Sequence, residues 1–356
     1  MRTPWHGDGA SCLPGSWKTK RCAARVADER RWKKTPQVIA RIHALLESDT
    51  AGAPITGVKW TRKTTRKISE ELGKVGITVS RTTVARVLRK LDYRLRVNHK
   101  KIAGNRNPQR NEQFEYIALV RYRWEHSAIP VISVDTKKRE LVGPFKNPGA
   151  VWSSTARAVF DHDFRSDADG VAVLYGIYDR SLNRGSVFVG NSHDTAQFAV
   201  EAIAAWWLTE GRFSYPGATQ LLILADNGGS NGSSLRAWRY YLQSKLVDRF
   251  GLTVTVCHYP PGTSKWNPIE HRLFAEISKN WAGEPLRSYE TILNFIRTTK
   301  TETGLSVSAT LLPGDYPTGI KISDRQMKEL VVTRHDVCPK WNYAVHPRNE
   351  SCKVIS

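Results

Sequence analysis

The 356-residue sequence has no apolar run close to the roughly 18 residues a membrane span needs. Its two longest, Gly170 to Tyr178 and Phe198 to Trp207, reach about half that length, and Glu201 interrupts the second. The first twenty residues lack an apolar h-region: Gly, Pro, Asp and His stand where a signal peptide needs hydrophobic side chains, so none is expected. Cysteine is sparse. Cys12, Cys22, Cys257, Cys338 and Cys352 are five, an odd and scattered set with no C-x-x-C pair, which argues against a zinc ribbon or a disulfide framework and fits a reducing compartment. There is no G-x-x-x-x-G-K-[ST] loop to cradle a nucleotide, which disfavours an ATP-driven mechanism. Internal repeats and low-complexity tracts are missing too.

Acidic residues are also short. Asp plus Glu number 33 against 54 Lys plus Arg, a net charge of +21. The excess is uneven: residues 1–130 hold 28 basic and 11 acidic side chains, and residues 131–356 hold 26 and 22. Positive charge concentrated in the first third attracts polyanions and speeds their capture.

Residues 1–34 show no helical or strand period and read as a poorly ordered basic arm with the run Arg30, Arg31, Lys33, Lys34. From Pro36, Val38, Ile39, Ile42, Leu45 and Leu46 fall on one helical face. Thr50 to Thr56 reads as a loop. A second helix from Thr61 or Thr65 to Leu72 is broken by Gly73 and Gly76. Ser80 is a good N-cap for a third helix with Val84, Val87, Leu88 and Leu91 behind. Its outer face carries Arg81, Thr82, Thr83, Arg86, Arg89 and Lys90. Apolar behind, basic and hydroxylic in front, after a glycine-containing turn, is the pattern of a DNA-reading helix-turn-helix over residues 35–100. The competing reading is an αα-hairpin with a solvated charged face. Residues 101–128 follow as a linker, Lys100 to Arg110, and a connecting helix, Asn111 to His126.

From Ile129 the texture turns to short strands alternating with helices. Val131 to Val134 is an apolar run ending on Asp135. Gly170 to Tyr178 and Gly185 to Gly190 form two strands around a hairpin-like turn. Asp194 to Glu210 is helical, with Asp194 as cap, and Leu221 to Ala225 is a buried strand ending on Asp226. A helix over Ser234 to Arg249 and a strand over Leu252 to Cys257 follow, and Asn267 opens a helix through Trp281. That order predicts a mixed α/β sheet covered by helices over 129–300, with a C-terminal extension over 301–356.

Asp135 and Asp226 each close an apolar strand, where ligands gather in open α/β sheets. Either also serves as a turn or cap residue. In His258-Tyr-Pro-Pro-Gly-Thr-Ser-Lys-Trp-Asn-Pro-Ile-Glu270, Asn267 suits the N-cap, Pro268 position N1, and Glu270 position N3. There Glu270 either completes a capping box or presents a carboxylate to a cleft. Three converging carboxylates repel one another unless cations neutralise them, and hard oxygen ligands suit Mg²⁺.

At these residues the sequence resembles DDE transposases of insertion sequences, which have a ribonuclease-H-like core. The mariner-like superfamily shares the last motif in looser form. The fuller likeness is to the Rhodopirellula transposase family. It is carried by Ser133-Val-Asp-Thr-Lys-Lys-Arg-Glu-Leu-Val-Gly143, Phe145-Lys-Asn-Pro-Gly149, Leu224-Ala-Asp-Asn-Gly-Gly-Ser-Asn-Gly232 and Cys257 through Phe274, within a likeness spanning roughly 36 to 345. The resemblance implies that Asp135, Asp226 and Glu270 are a catalytic, metal-holding triad. It implies two Mg²⁺ ions, replaceable by Mn²⁺, that clamp a scissile phosphate for cleavage and strand transfer. It implies DNA partners, the element ends and the target, an active homodimer or higher assembly, and a bacterial cytoplasmic, nucleoid-associated setting. Members of the family carry a longer helical region, with a further helix-turn-helix, ahead of the unit found here; residues 1–34 do not look like it.

Lys137, Lys138, Lys146 and Lys265 lie near the motifs as possible phosphate contacts, and His258 and His271 flank the site; surface exposure and ordinary packing are the plainer readings. Two other functions stay open from sequence: a metal-dependent nuclease of the same fold that does not join strands, and a non-catalytic DNA-binding regulator.

Overall fold

The computed structural model describes residues 36–49, 51–52, 59–60, 63–95, 107–127 and 129–348. The expected arm over 1–34 lies outside them, as does most of the linker after Lys100. The chain divides into two compact units, parted between Lys101 and Ile102.

The first unit holds α1 (Pro36–Asp49), a two-residue antiparallel pair of β1 (Ala51–Gly52) and β2 (Lys59–Trp60), α2 (Thr65–Lys74) and α3 (Arg81–Lys90). The pairing of Ala51 and Gly52 replaces part of the loop expected over Thr50 to Thr56. Local chemistry sets the helix ends. The Thr64 side chain accepts from Lys67 N, and that of Ser80 from Thr83 N. Helix α2 runs through Gly73 and stops before Gly76, whose φ of +79° leaves the helical region at little cost to a residue without Cβ. Val38, Ile42, Ile68, Leu72, Val84 and Val87 bury one face of each helix in a shared core.

The second unit is an eight-stranded mixed sheet between helical layers. Its strands are β3 (Val131–Val142), β4 (Gly170–Asp179), β5 (Arg184–Gly190), β6 (Gln220–Ala225), β7 (Thr253–His258), β8 (Ser306–Leu311), β9 (Val332–Arg334) and β10 (Asn342–Val345), in the order β8-β5-β4-β3-β6-β7-β10-β9. Strands β3, β4 and β5 form an antiparallel meander, and β6 and β7 run parallel to β3. Counted from β3, the central five stand 3-2-1-4-5, the ribonuclease-H-like arrangement expected from the sequence.

Strand β6 reads as unbroken hydrophobic because both its faces are covered. Leu221, Ile223 and Ala225 pack in the cluster of α5 (Ala196–Trp206) and α6 (Arg236–Tyr241). Leu222 and Leu224 pack under α4 (Arg110–His126) with Ile117 and Val120. The connecting helix is thus part of this unit. The sheet also continues past residue 300, where the sequence suggested an extension: residues 306–345 supply three of its strands. A reciprocal amide pair binds these additions together. Gln113 Nε2 donates to Asn342 Oδ1 at 2.7 Å and to the His258 carbonyl at 2.8 Å, and Asn342 Nδ2 donates to Gln113 Oε1 at 2.7 Å.

Both amides are fully buried. Gln113→Leu or Asn342→Leu strands its partner in an apolar setting, at a cost of about 1–3 kcal/mol each. The double variant should lose less than the sum of the singles in urea denaturation of the full chain; simple additivity would show that the pair is not coupled.

Candidate active site

Asp135 does not end its strand. Strand β3 runs seven residues further, to Val142, still paired with β4. The neighbour stops instead: the parallel ladder with β6 closes at Val134 and Ala225, and Asp226 is the next residue. The apolar run of β3 therefore ends where one of its flanks opens to solvent. The same register sets Asp226 alongside Asp135.

The third carboxylate comes from the helix over 268–280. Gly176 sits opposite Asp135 in the β3–β4 ladder, and a Cβ there would lie 2.4 Å from a Phe274 ring carbon. At Gly185 of β5 it would lie 2.4 Å from Leu273 Cδ1. Two glycines thus open slots in the sheet, and Phe274 and Leu273 fill them.

The helix is pinned at both ends. At its start, the buried Asn267 donates from Nδ2 to the Val134 carbonyl at 3.1 Å and accepts the Ile269 N–H at 3.4 Å. Beyond its end, Asn147 Nδ2 donates to the carbonyls of Trp281 (2.9 Å) and Glu284 (3.1 Å), and Gly283 N donates to the Pro148 carbonyl at 2.9 Å. Gly149, with φ of +119°, packs so closely that a Cβ would lie 2.7 Å from that of Ala282. The Phe145–Gly149 motif is therefore a clamp on the helix that carries Glu270.

Glu270 stands third in the helix after Asn267, as expected, but the winding there is not regular. It opens a π-helical turn, Glu270–Phe274, before α7 (Ala275–Asn280). No capping box forms with Asn267; Glu270 instead lines the same cleft as Asp135. Glu276, six residues on, is partly covered and paired with Lys279 at 2.7 Å.

Asp135, Asp226 and Glu270 line one cleft of about 360 Å³ with Thr136, Lys137, Lys138, Arg139, Asp194, Gly228–Asn231 and Ser264. Burial raises Asp135, with Asp226 next and Glu270 and Asp194 adding, to about 8 against the pull of the Thr136 N–H. Burial also raises Asp226 and Glu270, while the nearby His271 opposes the rise in Glu270. Among the described residues, no three His, Cys, Asp or Glu side chains are already disposed around one metal position. The donor chemistry nonetheless fits a hard divalent cation. The carboxylates are half-buried, share one cleft and have no Lys or Arg ion pair, so each raises the cost of charging the others and a cation would relieve it.

The other predicted residues fall in several places. Lys137 is spoken for: its Nζ pairs with Glu140 at 2.5 Å and lies 4.7 Å from the Trp281 ring centroid. Lys138 lines the cleft, Lys146 lines the next one, and Lys265 is outside both, exposed over the Trp266 ring. His258 is fully buried and held neutral, its pKa lowered by burial to about 4. Its ring contacts the Asp226 carbonyl at 3.3 Å and the Tyr343 hydroxyl at 3.0 Å, which itself accepts from Trp238. That role is to hold the loop, with no room for a water. His271 is exposed and bonded to the Lys265 carbonyl. In the first unit, Arg81, Thr82, Arg86, Arg89 and Lys90 are exposed on α3, and Thr83 is half-buried.

Asp194 was missed by sequence reasoning. Thr195 caps α5, accepting from Phe198 N at 3.3 Å, while Asp194 turns to the cleft and accepts from Thr136 Oγ1 at 3.1 Å. A carboxylate directly before a competent Thr cap is redundant as a cap, and that redundancy was the available signal.

Three carboxylates at the open end of a 3-2-1-4-5 sheet are the frame of a ribonuclease-H-like, DDE-type chain. A family model for the Rhodopirellula transposase DDE domain matches residues 41–347, and the chain belongs to that family. No curated protein matches it significantly. Among solved structures it is similar to a pre-cleavage Mos1 transpososome, with 17% identity and a TM-score of 0.40, over 75% of this chain and 76% of that one. It is also similar to the Mos1 strand transfer complex (18% identity, TM-score 0.39, 72% and 68% covered). A third similar structure is the catalytic domain of Mos1 mariner transposase (16%, 0.35, 55% and 82%).

The Asp135 shift has a stability consequence. Between pH 4 and 8 the unfolded chain has released the Asp135 proton and the folded chain retains it, so in chelator stability falls as pH rises across that window. Asp135→Asn should raise the thermal midpoint at pH 8 by ~3–6 °C and lose that advantage near pH 4. An equal shift at both values would contradict a raised Asp135.

Proposed function

We propose that this chain is the DNA transposase of an insertion sequence, with Asp135, Asp226 and Glu270 as the residues at which DNA strands are cut and joined. The observation that carries this reading is the convergence of three half-buried carboxylates, each from a different element, in one cleft beside β3 where its ladder with β6 closes. Family membership supports it independently.

In this reading the three carboxylates hold two Mg²⁺ ions, or Mn²⁺ in their place, which supply Lewis-acid stabilisation of the leaving oxygen and a nucleophilic water or 3′-hydroxyl at neutral pH. The chain's own groups do the positioning. The Thr136 N–H fixes Asp135 Oδ1 at 2.7 Å. Asn227 Oδ1 closes the loop after Asp226 by accepting from Ser233 N (3.1 Å) and Oγ (2.8 Å). Asn267 and the glycine slots set the depth of Glu270. No nucleophilic Ser or Tyr is required, since water or a DNA hydroxyl attacks directly. The first unit, with the basic outer face of α3, binds the element ends, and two or more copies of the chain bring a pair of ends together. No described helix is long and apolar enough to cross a membrane.

Glu270→Gln keeps the volume and the Asn267 anchor but removes a charge, so it should fold normally and abolish cleavage of donor DNA. Glu276→Gln should be nearly silent. A folded Glu270→Gln protein cutting near the wild-type rate would refute the assignment, as would cleavage persisting in excess chelator. Products distinguish transposase from nuclease: joined strands support the first, hydrolysis alone the second.

Replacing Arg81 and Arg86 by Ala should weaken binding to element-end DNA and flatten its salt dependence by about 0.9 per lost phosphate contact. Unchanged affinity at matched salt would remove α3 as the reading helix.

A further inference from the structure

The ladder between β3 and β4 slips once. Lys137 pairs with Leu174 and Glu140 with Ala172, so three steps on β3 answer two on β4. The extra residue makes a β-bulge, which re-aims side chains that would otherwise alternate across the sheet. Its effect is that Lys138 and Arg139, neighbours in sequence, are both exposed, while Lys137 and Glu140 on either side are partly covered and paired with each other. Among the described residues neither Lys138 nor Arg139 has an ion-pair or hydrogen-bond partner.

The same two residues belong to two clefts. They line the carboxylate cleft, and they line an adjoining one of about 360 Å³ with Glu140, Leu141, Phe145, Lys146, Asn147, Pro148, Asp163 and Leu286. In this second cleft Lys137 already offsets Glu140. Lys138, Arg139 and Lys146 then face the single charge of Asp163.

We infer that the bulge builds a phosphodiester subsite: the DNA strand held at the carboxylates continues over Lys138 and Arg139 into the second cleft, towards Lys146. This rests on the proposed function and adds the path of the substrate. Cations on the rim meet the phosphates flanking the scissile one, while Asp135, Asp226 and Glu270 repel any phosphate not bridged by metal. The bulge thus sets where along the strand the carboxylates act. The Phe145–Gly149 clamp forms the far wall, so the segment that fixes the Glu270 helix also borders the track.

The test uses the full chain and an end-labelled single-stranded oligonucleotide, with binding followed by fluorescence anisotropy in chelator over a salt series. Lys138→Gln with Arg139→Gln should lower the slope of log affinity against log salt by roughly 1.4, about 0.7 per lost contact on a single strand. Lys321→Gln with Lys328→Gln, two exposed residues that line neither cleft, should leave the slope unchanged. As a second measure, Arg139→Cys carrying a photo-crosslinker should attach to nucleotides within about three of the bond the wild-type chain cuts. An unchanged slope, an equal drop in the control, crosslinks scattered along the strand, or no binding of the strand at low salt would each overturn the track. Cleavage without the slope change would sink the track alone. The slope change and localised crosslinks without cleavage would sink the catalytic reading alone.

Discussion

The hydrogen bond from Asn267 to the carbonyl of Val134 holds the site together. That carbonyl is one residue before Asp135, at the point where β6 has left the sheet and offers no backbone donor in continuation. Asn267 supplies one from the start of the Glu270 helix. A buried backbone acceptor left unpaired is costly, so the cost falls on any arrangement that moves the helix away from the strand. The distance between two of the three carboxylates is thereby tied to secondary structure. Phe274 and Leu273 in their glycine slots fix the helix sideways, and Asn147 fixes its far end.

Charge is divided between the units in a way that suits one long anionic partner. The first third of the sequence carries most of the positive excess, whereas the cleft of the second unit is acidic with a basic rim. A polyanion gains from the first and is repelled by the core of the second. On the proposed function, capture and chemistry would be separable: binding at the basic unit would need no metal, while approach to the carboxylates would. The neutral, buried His258 fits this division, since it holds the Asp226 carbonyl and adds no charge to the cleft.

Much of this was legible in the sequence. Apolar runs bounded by turn residues located β3 through β7 to within a residue or two at their starts, and Ser80 announced α3. What failed was the idea that polarity marks the end of a strand. At Asp135 it marks the loss of one neighbour, and β3 goes on because β4 still pairs with it. The cap at Asp194 failed because two adjacent residues were both competent and Thr195 took the role. The wider turn at Glu270 was not legible because periodicity assumes 3.6 residues per turn. Clamp and slots were invisible in principle: Gly176 acts on Phe274, Gly185 on Leu273 and Asn147 on Trp281, all far apart in sequence, and local pattern does not carry that information.

The π-helical turn at Glu270–Phe274 bears on how this chain can change length. A π turn holds an extra residue relative to an α turn, and here it lies between two fixed points, the Asn267 anchor and the slots for Leu273 and Phe274. Removing one residue would let the turn rewind as ordinary α-helix with the residues beyond it still in phase, so Leu273 and Phe274 would stay over their glycines, whereas adding one to a turn that already holds the extra residue would rotate them by about 100°. This stretch therefore has a residue to lose but no room for another, while the exposed connection over 150–168 is free to grow or shrink.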